Sequence, residues 1–267
     1  MIVEKKVKTL GKNNQHEFTD HVAIEAPLEI SWQKETELET QTLAVTMRTP
    51  GNDMDLALGF LFTEGILHDF AVVERVVAME ENKVTVVVQP DTSLNVSQSD
   101  RNFYTTSSCG VCGKSSIEAI RVQNHFQSQK GLPKVDKSTF YALQSKLLED
   151  QSAFEQTGGI HAAALFNESG KLLHVREDVG RHNALDKLIG YAWSQGYLPL
   201  QQHILLLSGR ASFELVQKAV MAGIPIIASV GAPSSLAIAL AEEHGTTLIG
   251  FLKEDRFNLY CDDERIR

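Results

Sequence analysis

Cysteine is scarce in this chain: there are three in 267 residues. That is far too few for a disulfide-stapled scaffold. With only 7 Pro and 18 Gly, the chain is neither collagen-like nor a low-complexity linker. No window approaches the roughly 18 consecutive apolar residues of a membrane span. The first residues, Met1-Ile2-Val3-Glu4-Lys5-Lys6, mix charges and lack the apolar stretch of a secretory signal. These absences predict a cytoplasmic protein in a reducing environment, where a close Cys pair means metal or thiol chemistry. Positive charge is also in short supply. With 25 Lys+Arg against 34 Asp+Glu, the formal charge of −9 argues against a broad grip on nucleic acid or anionic lipid. A local basic pocket is compatible with that balance. There is no internal repeat and no heptad register.

What is present is ordinary for a folded protein: 43% hydrophobic and 22% charged residues. At about 150 residues per domain, the length fits one large domain or two small ones. The first hundred residues read mostly as strand, with β-branched runs at Leu43–Met47 and Lys83–Val88, and a helix at Met54–Glu64 ending before Gly65. Asp91–Asp100 is polar and reads as loop. Helical spacing returns at Tyr141–Leu148. Gly158–Phe166 and Leu172–Val175 are expected as strands around the turn Asn167–Gly170, followed by a helix at Asn183–Ala192. The last seventy residues or so alternate: strand His203–Leu207, helix Phe213–Met221, strand Pro225–Val230, helix Ser235–Glu243, strand Thr246–Leu252. Strand–helix alternation with short loops predicts an α/β fold with a parallel sheet in this last part of the chain, behind a β-rich first part. Ligands bind such sheets at the carboxyl ends of the strands. Here those ends are Ser208–Ser212, Gly231–Ser235 and Phe251–Arg256.

Three segments carry candidate chemistry. The sharpest is Ser107-Ser108-Cys109-Gly110-Val111-Cys112-Gly113-Lys114, two thiols three residues apart in a glycine-rich, polar setting before an expected helix at Ser116–Gln123. A helix N-terminus and Lys114 would lower a thiol pKa and favour the nucleophilic thiolate. A structural zinc site needs four ligands, and only Cys261 remains as a further thiol. A zinc deaminase would need an upstream His-x-Glu, yet none of the nine histidines is followed two residues later by Glu. A thioredoxin-type dithiol belongs between a strand and a helix of a βαβ unit, which fits poorly here. A sulfur relay needs an exposed, mobile nucleophile, and Gly110 and Gly113 suit a mobile loop at about 103–115.

The second segment, His174–Lys187, packs Arg176, Glu177, Asp178, Arg181, His182 and Asn183 into one strand-to-helix turn. Asp178 or Asn183 reads equally well as a helix cap and Lys187 as a solvated residue, but so much polarity together implies a ligand or partner. His161, after Thr157-Gly158-Gly159-Ile160, is a candidate ligand contact. The third is the set of loops at the sheet edge. Ser208-Gly209-Arg210 and Ser234-Ser235 are read as opening helices, where free N–H groups favour phosphate, and Arg210 adds a bidentate donor. No Walker A sequence and no G-x-G-x-x-G is present, which argues against common NTPase and Rossmann dinucleotide chemistry.

In this order the motifs resemble the FdhD family of formate dehydrogenase accessory sulfurtransferases. The resemblance is carried by Cys109–Gly113, Thr157–Ala163, Arg176–Lys187, Ser208–Ser212, Ala232–Leu236 and Thr247–Phe251, and spans about Pro27 to Arg265. It implies two domains, a smaller β-rich α+β one at residues 1–130 and a cytidine-deaminase-like one with a mostly parallel sheet at residues 131–267, without the zinc chemistry, and a homodimer. It further implies that sulfur passes from a cysteine desulfurase to the molybdenum bis(molybdopterin guanine dinucleotide) cofactor destined for formate dehydrogenase. On this resemblance no metal is expected in the protein itself, and GDP should mimic half of the acceptor. Cys109 would carry the persulfide, with Cys112 as its helper. The stretch Phe251, Leu252, Lys253, Glu254, Asp255 and Arg256 matches the family's cofactor-binding segment. Glu254 and Asp255 depart from the more basic family pattern, leaving Lys253, Arg256 and backbone groups for phosphate. Two rival readings are a cofactor-binding chaperone without chemistry and a dithiol oxidoreductase needing both thiols. Cys261, in an acidic tail, is expected to have a raised pKa and to be dispensable.

Overall fold

The computed structural model describes residues 1–94, 103–104, 126 and 128–267. The chain opens with an antiparallel ribbon, β1 (Ile2–Leu10) and β2 (Gln15–Ala23), which forms a two-stranded sheet of its own. β3 (Ala26–Lys34) and β4 (Gln41–Arg48) follow, then α1 (Asp53–Thr63), β5 (Val73–Glu80), β6 (Lys83–Val88) and the short β7 (Phe103–Tyr104). These strands make a five-stranded sheet in the order β5-β6-β3-β4-β7. Leu28, Ile30 and Trp32 of β3 and Val84, Val86 and Val88 of β6 are buried on one face, as period-2 patterning requires. The other face is polar, with Arg75–Glu35 and Lys83–Glu29 ion pairs.

The second half begins with α2 (Lys137–Tyr141), α3 (Leu143–Asp150) and α4 (Ser152–Thr157). One helix was expected over Tyr141–Leu148; the chain instead breaks at Ala142. The run Ser138-Thr139-Phe140-Tyr141 is a weak helix former, and the two short helices bury Phe140, Leu143 and Leu147 on the same sheet face. β8 (His161–Asn167) and β9 (Leu172–Asp178) form a hairpin, with Asn167 Oδ1 accepting from Ser169 and Lys171 amides. Then come α5 (Arg181–Ser194), β10 (His203–Leu207), α6 (Phe213–Met221), β11 (Ile226–Ser229), α7 (Ser235–Glu243), β12 (Thr247–Gly250) and β13 (Asn258–Cys261).

The resulting six-stranded sheet has the order β13-β12-β11-β10-β8-β9. Its centre, β10-β11-β12, is parallel as the alternation predicted. The expectation of a mostly parallel sheet needs correction, because β8, β9 and β13 all pair antiparallel. α6 and α7 supply the crossovers of the parallel centre and α5 links β9 to β10, but β8–β9 and β12–β13 are joined by loops too short for a parallel connection. β13 itself replaces the polar tail expected around Cys261. The tail is fixed by Arg265, which is fully buried and donates to the backbone oxygens of Leu132 and Gly245, both at 2.7 Å.

The sheet buries both faces. Ala162, Ala164, Phe166, Ile204, Leu206, Ile226, Ala228 and Ile249 face α2 and α3. Ala163, Leu165, Leu205, Leu207, Ile227 and Leu248 face a larger core that also takes in α1, α5, α6, α7 and the buried face of the five-stranded sheet. α1 is buried almost all round, which is why it is apolar all round: Leu56, Ala57, Leu58, Gly59, Leu61 and Phe62 are all covered. Among the described residues, no helix is long and apolar enough to cross a membrane.

α1 and α5 cross in near backbone contact. A Cβ added at Gly59 would overlap the Asp186 carbonyl and lie 2.9 Å from its Cα; one at Gly190 would lie 2.9 Å from the Asp55 carbonyl carbon. Gly59→Ala must therefore push the helices apart, at a cost of about 2 kcal/mol or more. Since each kcal/mol shifts Tm by about 2–4 °C in a chain of this size, a thermal melt should fall by at least about 4 °C. An unchanged Tm would show that the crossing can relax without loss.

Candidate functional site

Because β10, β11 and β12 run parallel, their carboxyl ends emerge on one edge, and backbone hydrogen bonds bind the following loops together. Gly231 N–H donates to Gly209 O at 2.9 Å, Phe251 N–H to Gly231 O at 3.1 Å, Leu252 N–H to Ser229 O at 3.1 Å, and Ser234 N–H to Ala211 O at 3.0 Å. The approach is close enough that a Cβ on Gly231 would sit 2.9 Å from Arg210 Cγ. β8 runs antiparallel to β10, so its first residue, His161, lies on the same edge. The structure thus gathers Ser208, Gly209, Arg210, Ser234, Ser235, the Phe251–Arg256 stretch and His161, which lie far apart in sequence.

Their roles differ. Ser208 does not open a helix as expected; α6 starts at Phe213 behind Ser212, and Ser208 Oγ instead accepts from Ala162 N–H at 2.8 Å. It also lies 3.4 Å from His161 Nδ1, and the imidazole packs over Gly209. Burial, followed by the charges of Arg181 and His182, pushes the His161 pKa below its ordinary value, so the ring is neutral at physiological pH. Ser234 is the N-cap of α7, accepting from Ala237 N–H at 3.2 Å, and Ser235 is exposed beside it. Arg210 is exposed. Phe251 adopts φ +52°, uncommon for a bulky residue, and is 44% exposed. Leu252 is corrected: its side chain is fully buried in the core facing α2 and α3, so it cannot touch a ligand on this edge. Lys253, Glu254, Asp255 and Arg256 are exposed, with Lys253 N–H donating to Arg256 O at 2.8 Å.

The polar turn at 174–187 turns inward. Asp178 is fully buried; its carboxylate accepts from Lys187 Nζ at 2.6 Å, Gly180 N–H at 2.8 Å, Thr49 N–H at 3.1 Å and Asn183 Nδ2 at 3.2 Å. Burial pushes its pKa up, opposed by Lys187 and these donors. Lys187, for which a solvated position was one of two equal readings, is buried and also donates to Thr49 O at 2.8 Å. Asn183 Nδ2 reaches Met47 O at 2.8 Å, and Arg176 forks onto Asp55 Oδ2 at 2.9 and 3.1 Å. One turn further, Lys218 joins Asp186, Glu64 and the Thr63 hydroxyl within 3.0 Å. The implied partner of this polarity is the chain's own first half. Arg181 and His182 are the exceptions and lie near His161. His182 Nε2 is 4.0 Å from Glu214 Oε2, and its ring, against the effect of burial, holds the Glu214 carboxyl down to about 2.

Sequence reasoning named Arg181 and His182 only as members of the charged turn and left Glu214 out; the turn alone could not say which of its side chains lie near the sheet edge. Cys109 and Cys112 lie outside the described residues. Cys261 sits on β13 with its Sγ 3.5 Å from Ile238 O, and burial, more than nearby Glu242, pushes its thiol up to about 11. The expected direction holds, with burial as its main cause and not the acids of the tail.

Comparison with known proteins agrees with this architecture. A crystal structure of a Desulfotalea psychrophila protein, described as a formate dehydrogenase accessory protein, superposes with a TM-score of 0.79 at 24% identity, covering 100% of this chain and 99% of that one. Among curated sequences, a sulfur carrier protein FdhD from Mycolicibacterium paratuberculosis is 48% identical over 254 residues, 92% of this chain and 91% of that protein. Its Streptomyces avermitilis counterpart is 47% identical over 257 residues, 92% and 89% of the two chains, and the one from Picrophilus torridus is 42% identical over 267 residues, 99% and 98%. The family model described as FdhD/NarQ matches residues 23–267, all but the β1–β2 ribbon. With nearly the whole chain matched and relatives approaching half identity, the protein belongs to the FdhD/NarQ family.

Proposed function

We propose that this chain is a sulfur carrier for formate dehydrogenase maturation. It would take sulfur from a cysteine desulfurase and deliver it to the molybdenum bis(molybdopterin guanine dinucleotide) cofactor. The observation that carries the reading is the joined carboxyl edge: three loops and His161 build one surface, in a chain 48% identical to a named sulfur carrier protein. Donors suited to phosphate lie on that edge in Arg210, Lys253 and Arg256, beside the exposed Phe251 for a purine base. The cofactor is written here as substrate, and its two guanine dinucleotide arms suit a two-fold homodimer. The cytidine-deaminase-like reading of the six-stranded unit is supported by its parallel centre with interposed helices. The work would be done in the cytoplasm.

The chemistry is thiol–persulfide exchange. Cys109 thiolate attacks the outer sulfur of the donor's persulfide, the donor's S–S bond breaks, and the donor leaves as thiolate while Cys109 carries the –SH sulfur. Cys112 is assigned the helper role. Cys261 is excluded from it by its own surroundings, since a thiol with a pKa near 11 is almost wholly protonated at neutral pH.

Incubation with a desulfurase and cysteine should add a reducible mass of about 32 Da at Cys109, read by mass spectrometry of the digested protein. Cys109→Ala should abolish maturation of formate dehydrogenase, whereas Cys261→Ser should transfer sulfur normally. A Cys109→Ala protein that still matures the enzyme would instead identify a chaperone without chemistry, and an adduct confined to Cys112 or Cys261 would overturn the assignment. For the acceptor end, Arg210→Ala should weaken GDP by about tenfold, the lower end of the charged hydrogen-bond range because the side chain is solvent-exposed. Sulfur loading on Cys109 should be untouched. A calorimetric dissociation constant that does not move would remove Arg210 from the site.

A further inference from the structure

We propose that the open face of the five-stranded sheet docks a basic segment of a partner protein, whose lysine or arginine side chain enters a cleft lined by Glu80. The inference goes beyond the sulfur-carrier reading and does not rest on it. Strand register lays three cross-strand rows on this face: Arg75, Val87 and Gln33; Val77, Thr85 and Ser31; Glu80, Lys83 and Glu29. Ion pairs bridge the two outer rows, Arg75 to Glu35 at 3.3 Å and Lys83 to Glu29 at 3.5 Å. With them goes a cleft of about 300 Å³, lined by Val77, Thr85 and Val87 together with Gln33, Thr40 and the charged side chains. Its middle makes no polar demand on an occupant, because Thr85 Oγ1 already pairs with the buried Ser31 hydroxyl at 2.8 Å. Such a lining suits the methylene stem of a long charged side chain.

Charge decides the sign of that occupant. Arg75 and Lys83 each have a carboxylate beside them, whereas Glu80 lines the same cleft, is exposed, and has no ion-pair partner among the described residues. Glu37 and Glu39 follow Glu35 on the exposed loop that leads to Thr40, so the uncompensated charge is negative. An anion would have to displace Glu35 or Glu29 from its cation and would then meet Glu80. A cation reaches Glu80 without breaking either pair. Volume decides the size: the cleft stands at the bottom of the range for ligand sites, room for one long side chain and little more. Two features favour a peptide over a free amine. β5 is the last strand of its sheet, so the cleft lies at an open margin that an extended chain can cross. Leu38, on the same loop as Glu35 and Thr40, is 99% exposed, and a residue flanking the inserted side chain would cover it.

The test follows the methyl resonances of Val77 and Val87 in the full-length protein during titration with three probes. These are the capped tripeptide acetyl-Leu-Arg-Leu-amide, its Leu-Glu-Leu counterpart, and n-butylguanidinium as the side chain alone. The arginine peptide should give saturable shifts and bind more tightly than either other probe. Glu80→Gln should weaken it by about fivefold, the upper end for an exposed ion pair, and Glu80→Lys by more. Arg75→Gln should tighten it by about twofold or more, because the change removes a competing cation and frees Glu35. Both residues are exposed, and thermal melts confirm that the variants fold. Tighter binding of the glutamate peptide, or weaker binding of the arginine peptide by Arg75→Gln, would overturn the choice of a basic partner. Equal affinity for n-butylguanidinium and the arginine peptide would reduce the surface to a pocket for small cations and refute docking. Valine methyls that stay still with every probe would refute the site itself.

Discussion

The close crossing of α1 over α5 is the constraint on which the rest of the molecule depends. Two glycines, Gly59 and Gly190, let the helix backbones meet with no side chain between them. α1 belongs to the five-stranded sheet and α5 to the six-stranded one, so their approach fuses the two apolar faces into one core. Around that contact lies a ring of buried and half-buried ions. Asp55–Arg176, Asp178–Lys187 and Asp186–Lys218–Glu64 each join a residue near α1 or β4 to one near α5, or tie that junction down locally. Buried ion pairs add little net stability, but stranding one partner is severely destabilising. They therefore act as a register device: sliding one half along the other would leave several charges unpaired at once.

That rigidity explains where the binding surface can be. The turn from β9 into α5 is locked from below by Thr49 and Met47, which leaves its upper side, Gly180 to His182, facing the same edge as the loops after β10, β11 and β12. A surface assembled from strand ends on a packed sheet needs no ordering step when a ligand arrives. Backbone bonds between successive loops, such as Gly231 to Gly209 and Phe251 to Gly231, extend the sheet's order into the site itself.

Much of this was legible in the residues. The alternation of strand and helix after His203 gave boundaries that match β10, α6 and α7 to the residue, because strongly periodic segments with short turns leave little freedom. The shared edge followed from topology alone. What was not legible depends on long-range pairing. The short Asn167–Gly170 turn already implies an antiparallel β8–β9 hairpin, but nothing local shows that β8 pairs antiparallel with β10 or that β13 exists. Cys261 looked solvated because its neighbours Asp262, Asp263 and Glu264 are polar, whereas its burial comes from β12 and α7. Lys187 failed for the same reason: its partner Asp178 is nearby in sequence, but the Thr49 carbonyl that completes its cage is 138 positions away. Leu252, one residue from exposed Phe251, entered the binding set because the whole stretch matches the family's segment, although neighbouring residues here face opposite sides.

The β1–β2 ribbon sits outside this logic, beyond the part of the chain matched by the family. A lone two-stranded ribbon has both long edges unsatisfied, which is the usual template for unwanted strand addition. Lys5, Lys6 and Lys8 are exposed along β1, with Glu4 between them and the start of the strand. Two copies approaching through that edge would bring ammonium groups near ammonium groups. Three of the protein's 25 Lys and Arg residues thus stand along a strand edge that no other strand covers among the described residues.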